Sequence, residues 1–204
     1  IPLWWDEYVL DRTIGLQFLI AKSQDLFGRN IFSAYLPTTV ASILMLFTTY
    51  KLHEELFNKK YAIISPLILA TTYLWFDYSH LATQDIIYSF LVTIGVLALV
   101  KIKSKKNKFY IMLFGIWIGL AFMMKTFLVF VPLLSLLPYI FLKKKLLLNK
   151  FFWLGLLIGF IPFLFWTFSI NPYLDKNIIF YLIEKFNFLS SKNTFTNPFY
   201  YYFW

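Results

Sequence analysis

The sequence predicts an all-α integral membrane protein: a polytopic bundle of about six transmembrane helices with an N-terminal interfacial helix. The chain has 204 residues, of which 60% are hydrophobic and only 14% are charged. Soluble domains are nearer to about 45–50% apolar and about 25% charged. Apolar runs long enough to cross a bilayer recur along the chain. Runs of this length are typical of helices, not of the short alternating strands of a barrel.

The composition also excludes several classes of site. The chain contains no cysteine, which excludes a disulfide framework and a thiolate metal site. Its two histidines, His53 and His80, are too few for a histidine-rich metal cluster. The net charge of +9 comes from lysines in short loops between apolar segments. That pattern is typical of topology determinants, so we expect membrane lipids and no nucleic acid as partners.

We expect residues 1–204 to form one transmembrane domain, as an internal piece of a longer protein, because the chain starts at Ile1 without an initiator Met. Residues 1–30 are predicted to form an outer-face loop followed by an interfacial helix. The loop carries aromatic rings that suit the headgroup level. The helix, over residues 13–27, mixes apolar side chains with Lys22 and Asp25.

The region 33–170 contains the predicted membrane helices, whose interiors carry no Lys, Arg, Asp or Glu. The six candidate spans are residues 33–50, 61–76, 85–100, 109–124, 127–142 and 151–170. Residues 171–204 are predicted to form an outer-face segment rich in Phe, Tyr and Asn. Two interpretations of this segment stay open: an interfacial aromatic belt, or a platform on which sugar rings stack.

The loops predict the orientation of the bundle. Most of the 19 basic residues follow the first, third and fifth spans: Lys51, Lys59, Lys60, Lys101, Lys103, Lys105, Lys106, Lys108, Lys143, Lys144, Lys145 and Lys150. An excess of lysine marks the cytoplasmic side of a membrane protein. The opposite face then carries the loop WFDYSHLATQD (residues 75–85), the turn at Lys125 and both ends of the chain.

Candidate functional residues concentrate at this opposite face. They include Asp11 with Arg12 and Asp85 with His80. Carboxylate oxygens suit hard divalent cations such as Mg²⁺ or Mn²⁺, and guanidinium groups suit phosphate. Lys125 lies between two apolar runs, where a charge is costly unless it is paired. The alternatives are that Asp85 only caps the following helix and that Lys125 only snorkels to the interface.

Several motifs keep the order and spacing of a known family. They are Asp11-Arg12 ahead of an apolar helix that ends in Phe-Gly, Leu36-Pro37, YSHLATQD ending at Asp85, GLAFMMKTF around Lys125, and PFYYYFW. Together they resemble the N-terminal membrane region of the GT-C glycosyltransferases. In that family the first motif is an acidic residue followed by Lys-Pro-Pro, and the Lys125 motif is Gly-Leu…Thr-Lys-Gly-Pro. The aminoarabinose lipid A transferases and the dolichyl-phosphate-mannose protein mannosyltransferase-like enzymes are the most similar branches.

The sequence departs from the family pattern at several positions. Arg12 stands at the lysine position, Thr13 and Ile14 replace two prolines, and Tyr35 and His80 stand where the family has arginine. The tail lacks the His and Arg expected near residues 184–187. In the family, paired catalytic carboxylates follow the first span, and the resemblance implies that this chain begins downstream of them.

The resemblance implies transfer of a hexosyl or pentosyl group from a polyprenyl-phosphate donor to a lipid or protein acceptor, as in lipid A modification. The reaction would take place outside the cytoplasm, at a bacterial plasma membrane. It implies that Asp85 and Asp11 are catalytic, that Arg12, Lys125 and His80 bind the donor phosphate, and that Asp11 and Asp85 hold a divalent metal (Mg, Mn or Zn). Two alternatives remain: a non-catalytic scaffold descended from such an enzyme, and a transporter or lipid flippase.

Overall fold

The computed structural model describes residues 3–4, 7–8, 13–57, 59–102, 107–143, 146–174 and 177–191. These residues are almost entirely helical, as predicted. The helices are α1 Gly15–Phe27, α2 Ile31–Leu56, α3 Ile64–Thr71, α4 Tyr73–Ser79, α5 Gln84–Lys101, α6 Lys108–Lys125, α7 Phe130–Leu142, α8 Lys150–Ile170 and α9 Ile178–Ser191. Two short strands, β1 Leu3–Trp4 and β2 Glu7–Tyr8, pair antiparallel.

The chain divides into two compact units. One unit comprises residues 1–12 and 166–204, and it contains the strand pair, the end of α8, and α9. The other unit comprises residues 13–165 and contains α1 to α7 with most of α8. Of the candidate residues, His80, Asp85 and Lys125 belong to this second unit. Asp11 and Arg12 lie outside the described residues.

Four segments in the described part of the chain are long and apolar enough to cross a membrane, so the chain is an integral membrane protein. They are α2, α5, α8 and the 35-residue stretch Lys108–Leu142, which joins α6 and α7 through the 3₁₀ turn Thr126–Val129. The prediction of six spans is therefore not confirmed. In particular, α7 has only 13 residues and is about 20 Å long, shorter than a hydrocarbon core of about 30 Å.

The predicted span at residues 61–76 is interrupted. It forms α3 and α4, which have 8 and 7 residues and are separated at Thr72, where the backbone is extended with ψ 129°. Pro66 lies in the first turn of α3, where a helix tolerates proline, so it does not cause the break. The Thr72 hydroxyl donates to the Ile68 carbonyl at 2.9 Å and satisfies one acceptor at the end of α3.

Contacts between helix ends show which loops lie at the same end of the helices. Lys101, the last residue of α5, pairs with Glu55 near the end of α2 at 3.6 Å. The Lys143 ammonium, just after α7, donates to the carbonyls of Leu99 and Ile102. We call this lysine-bearing end of the helices the basic end. Asp85 and Lys125 lie at the other end, where α5 begins and α6 finishes.

Close backbone packing joins α6 to α8 in a parallel pair. Gly115 and Gly119 of α6 face Gly155 and Gly159 of α8. A Cβ atom built on Gly119 would lie 2.2 Å from the carbonyl carbon of Gly159. Small residues allow membrane helices to approach this closely and gain backbone contact. On the other side of α6, the buried indole of Trp117 lies against Gly95 of α5.

Candidate functional site

The site consists of an ion pair between Asp85 and Lys125. The Lys125 Nζ donates to Asp85 Oδ1 across 40 residues of sequence. The Lys125 side chain is 20% exposed and that of Asp85 is 45% exposed. Lys125 is therefore mostly buried but has a carboxylate partner, and it is not a lysine that simply snorkels to water. One edge of the pair, on the Asp85 side, lies at the surface of the protein.

The antiparallel packing of α5 on α6 brings the two charges together. Asp85 is the second residue of α5, and Lys125 is the last residue of α6. Each charge lies at the helix end whose macrodipole favours it. The alternative that Asp85 is the N-cap is wrong, because Thr83 occupies that position and the Asp85 carboxylate is directed to Lys125.

The backbone after Lys125 is held in an unusual conformation. Thr126 has φ +46° and ψ −118°, a region that β-branched residues rarely adopt. The Tyr88 hydroxyl, one turn after Asp85, donates to the Leu128 carbonyl at 2.9 Å and ties this turn to α5. Sequence reasoning missed Tyr88 and Thr126. The sequence did contain one signal: Thr126 occupies the position at which the similar family motif, Gly-Leu…Thr-Lys-Gly-Pro, has glycine.

We predict that Thr126→Gly stabilises the protein by about 1 kcal/mol, because glycine adopts positive φ without strain. The measurement is the free energy of unfolding of the complete protein in detergent micelles. Thr39→Gly, an exposed threonine inside α2, is the control and is expected to be destabilising by about 0.3 kcal/mol. A loss of stability in Thr126→Gly would contradict the strained backbone.

Two further helices contact the same end of the bundle. The Thr38 hydroxyl of α2 makes a long hydrogen bond, 3.4 Å, to the Thr83 carbonyl just before α5. Gly15, the first residue of α1, approaches the Met123 carbonyl near the end of α6. Thr13 is 1% exposed, and its hydroxyl has no hydrogen-bond partner within the described residues. In sequence, Asp11 and Arg12 come directly before Thr13.

His80 is not joined to the ion pair. Its Nδ1 lies 2.6 Å from the Phe76 carbonyl, and its ring lies 4.7 Å from the Phe76 ring. Its hydrogen bonds with described residues reach Ser79 and Phe76, and none reaches Asp85 or Lys125. His80 is exposed at the end of α4, so its predicted role in binding phosphate stays a prediction.

The described side chains alone do not fit a divalent metal. No group of three His, Cys, Asp or Glu residues comes together anywhere in the described ranges. The Asp85 carboxylate is already shared with an ammonium group, whereas hard cations take several oxygen ligands. The predicted metal site also requires Asp11, which lies outside the described residues, so it stays a prediction.

Comparison with known proteins gives a family and a fold. Residues 11–167 match the family described as dolichyl-phosphate-mannose-protein mannosyltransferase. The structure is similar to the crystal structure of ArnT from Cupriavidus metallidurans bound to undecaprenyl phosphate, with TM-score 0.71 and 15% sequence identity over 82% of this chain. The chain covers 33% of that ArnT chain, about a third of its length. No curated protein sequence matches.

Proposed function

The chain belongs to the dolichyl-phosphate-mannose-protein mannosyltransferase family, and from that membership we propose that it transfers a sugar from a polyprenyl-phosphate donor to a lipid or protein acceptor. The similarity in fold to ArnT bound to undecaprenyl phosphate supports a lipid-linked donor. We further propose that the reaction takes place at the non-cytoplasmic face of a bacterial plasma membrane. An excess of lysine at the basic end supports this orientation.

The observation that carries the proposal is the Asp85–Lys125 pair. A lysine ammonium has three N–H donors, and in the described residues Asp85 accepts one of them. The remaining donors are available to phosphate oxygens, with which charged hydrogen bonds are strong. Asp85 orients Lys125 and compensates its charge before the donor binds. Lys125 is therefore proposed to bind the donor phosphate.

The proposed reaction breaks the bond between the anomeric carbon of the sugar and the oxygen of the lipid phosphate. The acceptor oxygen forms the new bond to the anomeric carbon, and the electron pair of the old bond leaves with the phosphate. Lys125 stabilises the negative charge that develops on the phosphate, a term worth several kcal/mol in enzymes. The family resemblance alone implies the same role for Arg12. A carboxylate, Asp11 or Asp85, takes the proton from the acceptor hydroxyl.

The experiment is a transfer assay with the complete protein in phospholipid nanodiscs. A radiolabelled polyprenyl-phosphate sugar is supplied with membrane lipid and protein extracts, and free polyprenyl phosphate and labelled acceptor are measured together. We expect both products to appear in equal amounts. Release of polyprenyl phosphate at the rate seen in empty nanodiscs would refute the proposed transferase activity. It would favour the alternative that the protein is a non-catalytic relative.

The orientation is tested by cysteine labelling, for which this stretch without native cysteine is suited. We predict that Leu81→Cys, an exposed position just after α4, reacts with a membrane-impermeant maleimide in intact cells. Lys59→Cys, at the basic end with a side chain 79% exposed, is expected to react only after permeabilisation. Any native cysteines elsewhere in the complete protein are first replaced by serine. The reverse labelling pattern would place the ion pair in the cytoplasm.

A further inference from the structure

Most lysines described at the basic end are compensated by groups of the protein itself. The pairs are Lys51 and Lys59 with Glu54, Lys101 with Glu55, and Lys143 with the carbonyls of Leu99 and Ile102. These contacts satisfy each ammonium with a carboxylate or with the free carbonyls at the end of α5. Such lysines have little need of an external anion.

Lys108 and Lys150 differ from these lysines. Their ammonium groups lie 5.2 Å and 5.6 Å from the centre of the same ring, that of Phe151. Both lysines are exposed, and no carboxylate pairs with either of them in the part of the chain that the structure describes. A contact with a ring face is worth only about 0.5–1 kcal/mol at an exposed site. Among the described residues, the two positive charges therefore remain largely uncompensated.

The parallel packing of α6 on α8 brings these two charges together. Lys108 is the first residue of α6 and Lys150 is the first residue of α8. The glycine contacts begin within two turns of both lysines, and both ammonium groups reach the same Phe151 ring. Each lysine also begins a segment apolar enough to cross the membrane. We therefore expect both ammonium groups at the level where hydrocarbon gives way to phospholipid headgroups.

We propose that Lys108 and Lys150 together bind the phosphate of an anionic phospholipid headgroup, with Phe151 beside it as an apolar contact. Two ammonium groups complement a phosphate that carries no compensating cation of its own. The depth of the pair favours a headgroup of the surrounding membrane over a dissolved anion. This lipid site lies at the opposite end of α6 from Lys125, and it does not depend on the proposed sugar transfer.

The test is lipid retention by the complete protein, measured by native mass spectrometry from nanodiscs of phosphatidylcholine with phosphatidylglycerol. We expect Lys108→Gln/Lys150→Gln to lose the preference for phosphatidylglycerol, by about fivefold for each lysine removed. Lys59→Gln/Lys60→Gln removes the same charge from the same end and is expected to keep the preference. Lys108→Arg/Lys150→Arg, which keeps the charge, is also expected to keep it.

Two results would overturn the proposal. One is an unchanged preference for phosphatidylglycerol in Lys108→Gln/Lys150→Gln. The other is an equal loss in the Lys59→Gln/Lys60→Gln control, which would indicate attraction to the whole basic end and no defined site. Melting curves in pure phosphatidylcholine accompany each variant and identify a protein that has failed to fold. In that case the single variants Lys108→Gln and Lys150→Gln replace the double variant.

Discussion

Replacing Asp85 with asparagine in the complete protein is expected to lower sugar transfer by about 10²–10³-fold. Asparagine has the shape of aspartate but no charge, so Lys125 keeps an acceptor and loses the carboxylate that orients it. Lys125→Gln is expected to have an effect of the same size. Because the two groups act as a unit, the double variant should be no slower than the slower single variant. The measurement is the initial rate of transfer under saturating donor.

The matched control is Asp25→Asn in α1. Asp25 pairs with Lys22 at 3.3 Å, but both side chains are mostly exposed, and such a pair contributes about 0–1 kcal/mol. Transfer is expected to be unchanged in this variant. A wild-type rate in Asp85→Asn would remove Asp85 from the site.

The charge-reversal variant Asp85→Lys/Lys125→Asp separates a structural role from a functional one. Reversal keeps an ion pair between α5 and α6, so stability is expected to recover relative to the single variants. It also places a carboxylate where the donor phosphate is proposed to bind, so transfer is expected to remain low. Recovery of transfer along with stability would mean that the pair only holds the helices together.

The second large effect is expected from Gly119→Ala, which we predict to be destabilising by about 1–3 kcal/mol. At a helix position that contacts no neighbour, replacing Gly by Ala is stabilising by about 1 kcal/mol. The sign of the change in the free energy of unfolding therefore tests the packing directly. The added Cβ would lie 2.2 Å from the carbonyl carbon of Gly159, and a backbone atom cannot move aside as a flexible side chain can. The helices α6 and α8 must then separate. The measurement is the free energy of unfolding in mixed micelles.

Val131→Ile is the matched control, since it also adds one carbon but on an exposed position of α7. It is expected to leave stability within about 0.5 kcal/mol of the wild type. If Gly119→Ala were as stable as Val131→Ile, that result would contradict the close approach of α6 and α8 at Gly119.

The sequence by itself determined which segments are apolar enough to enter the membrane. Hydropathy is a local property of the chain, so the runs that became α5, α6 and α8 were predicted to within one residue. The run that became α2 was also identified, but the helix extends six residues beyond the predicted end. The break at Thr72 was missed because apolar residues continue on both sides of it, in α3 before the break and at the start of α4 after it. Charged residues at the ends of apolar runs are conspicuous for the same local reason. Asp85 and Lys125 were therefore identified one by one.

The tertiary structure alone decided what these residues contact. The sequence did not pair Asp85 with Lys125, because their contact depends on how α5 and α6 pack over 40 intervening residues. The parallel approach of α6 and α8 depends likewise on glycines placed far apart in the chain. Hydropathy selects the segments that enter the membrane. Close packing between backbones that are distant in sequence then decides which helices contact each other. That packing also decides which charged residues meet at each end of the helices.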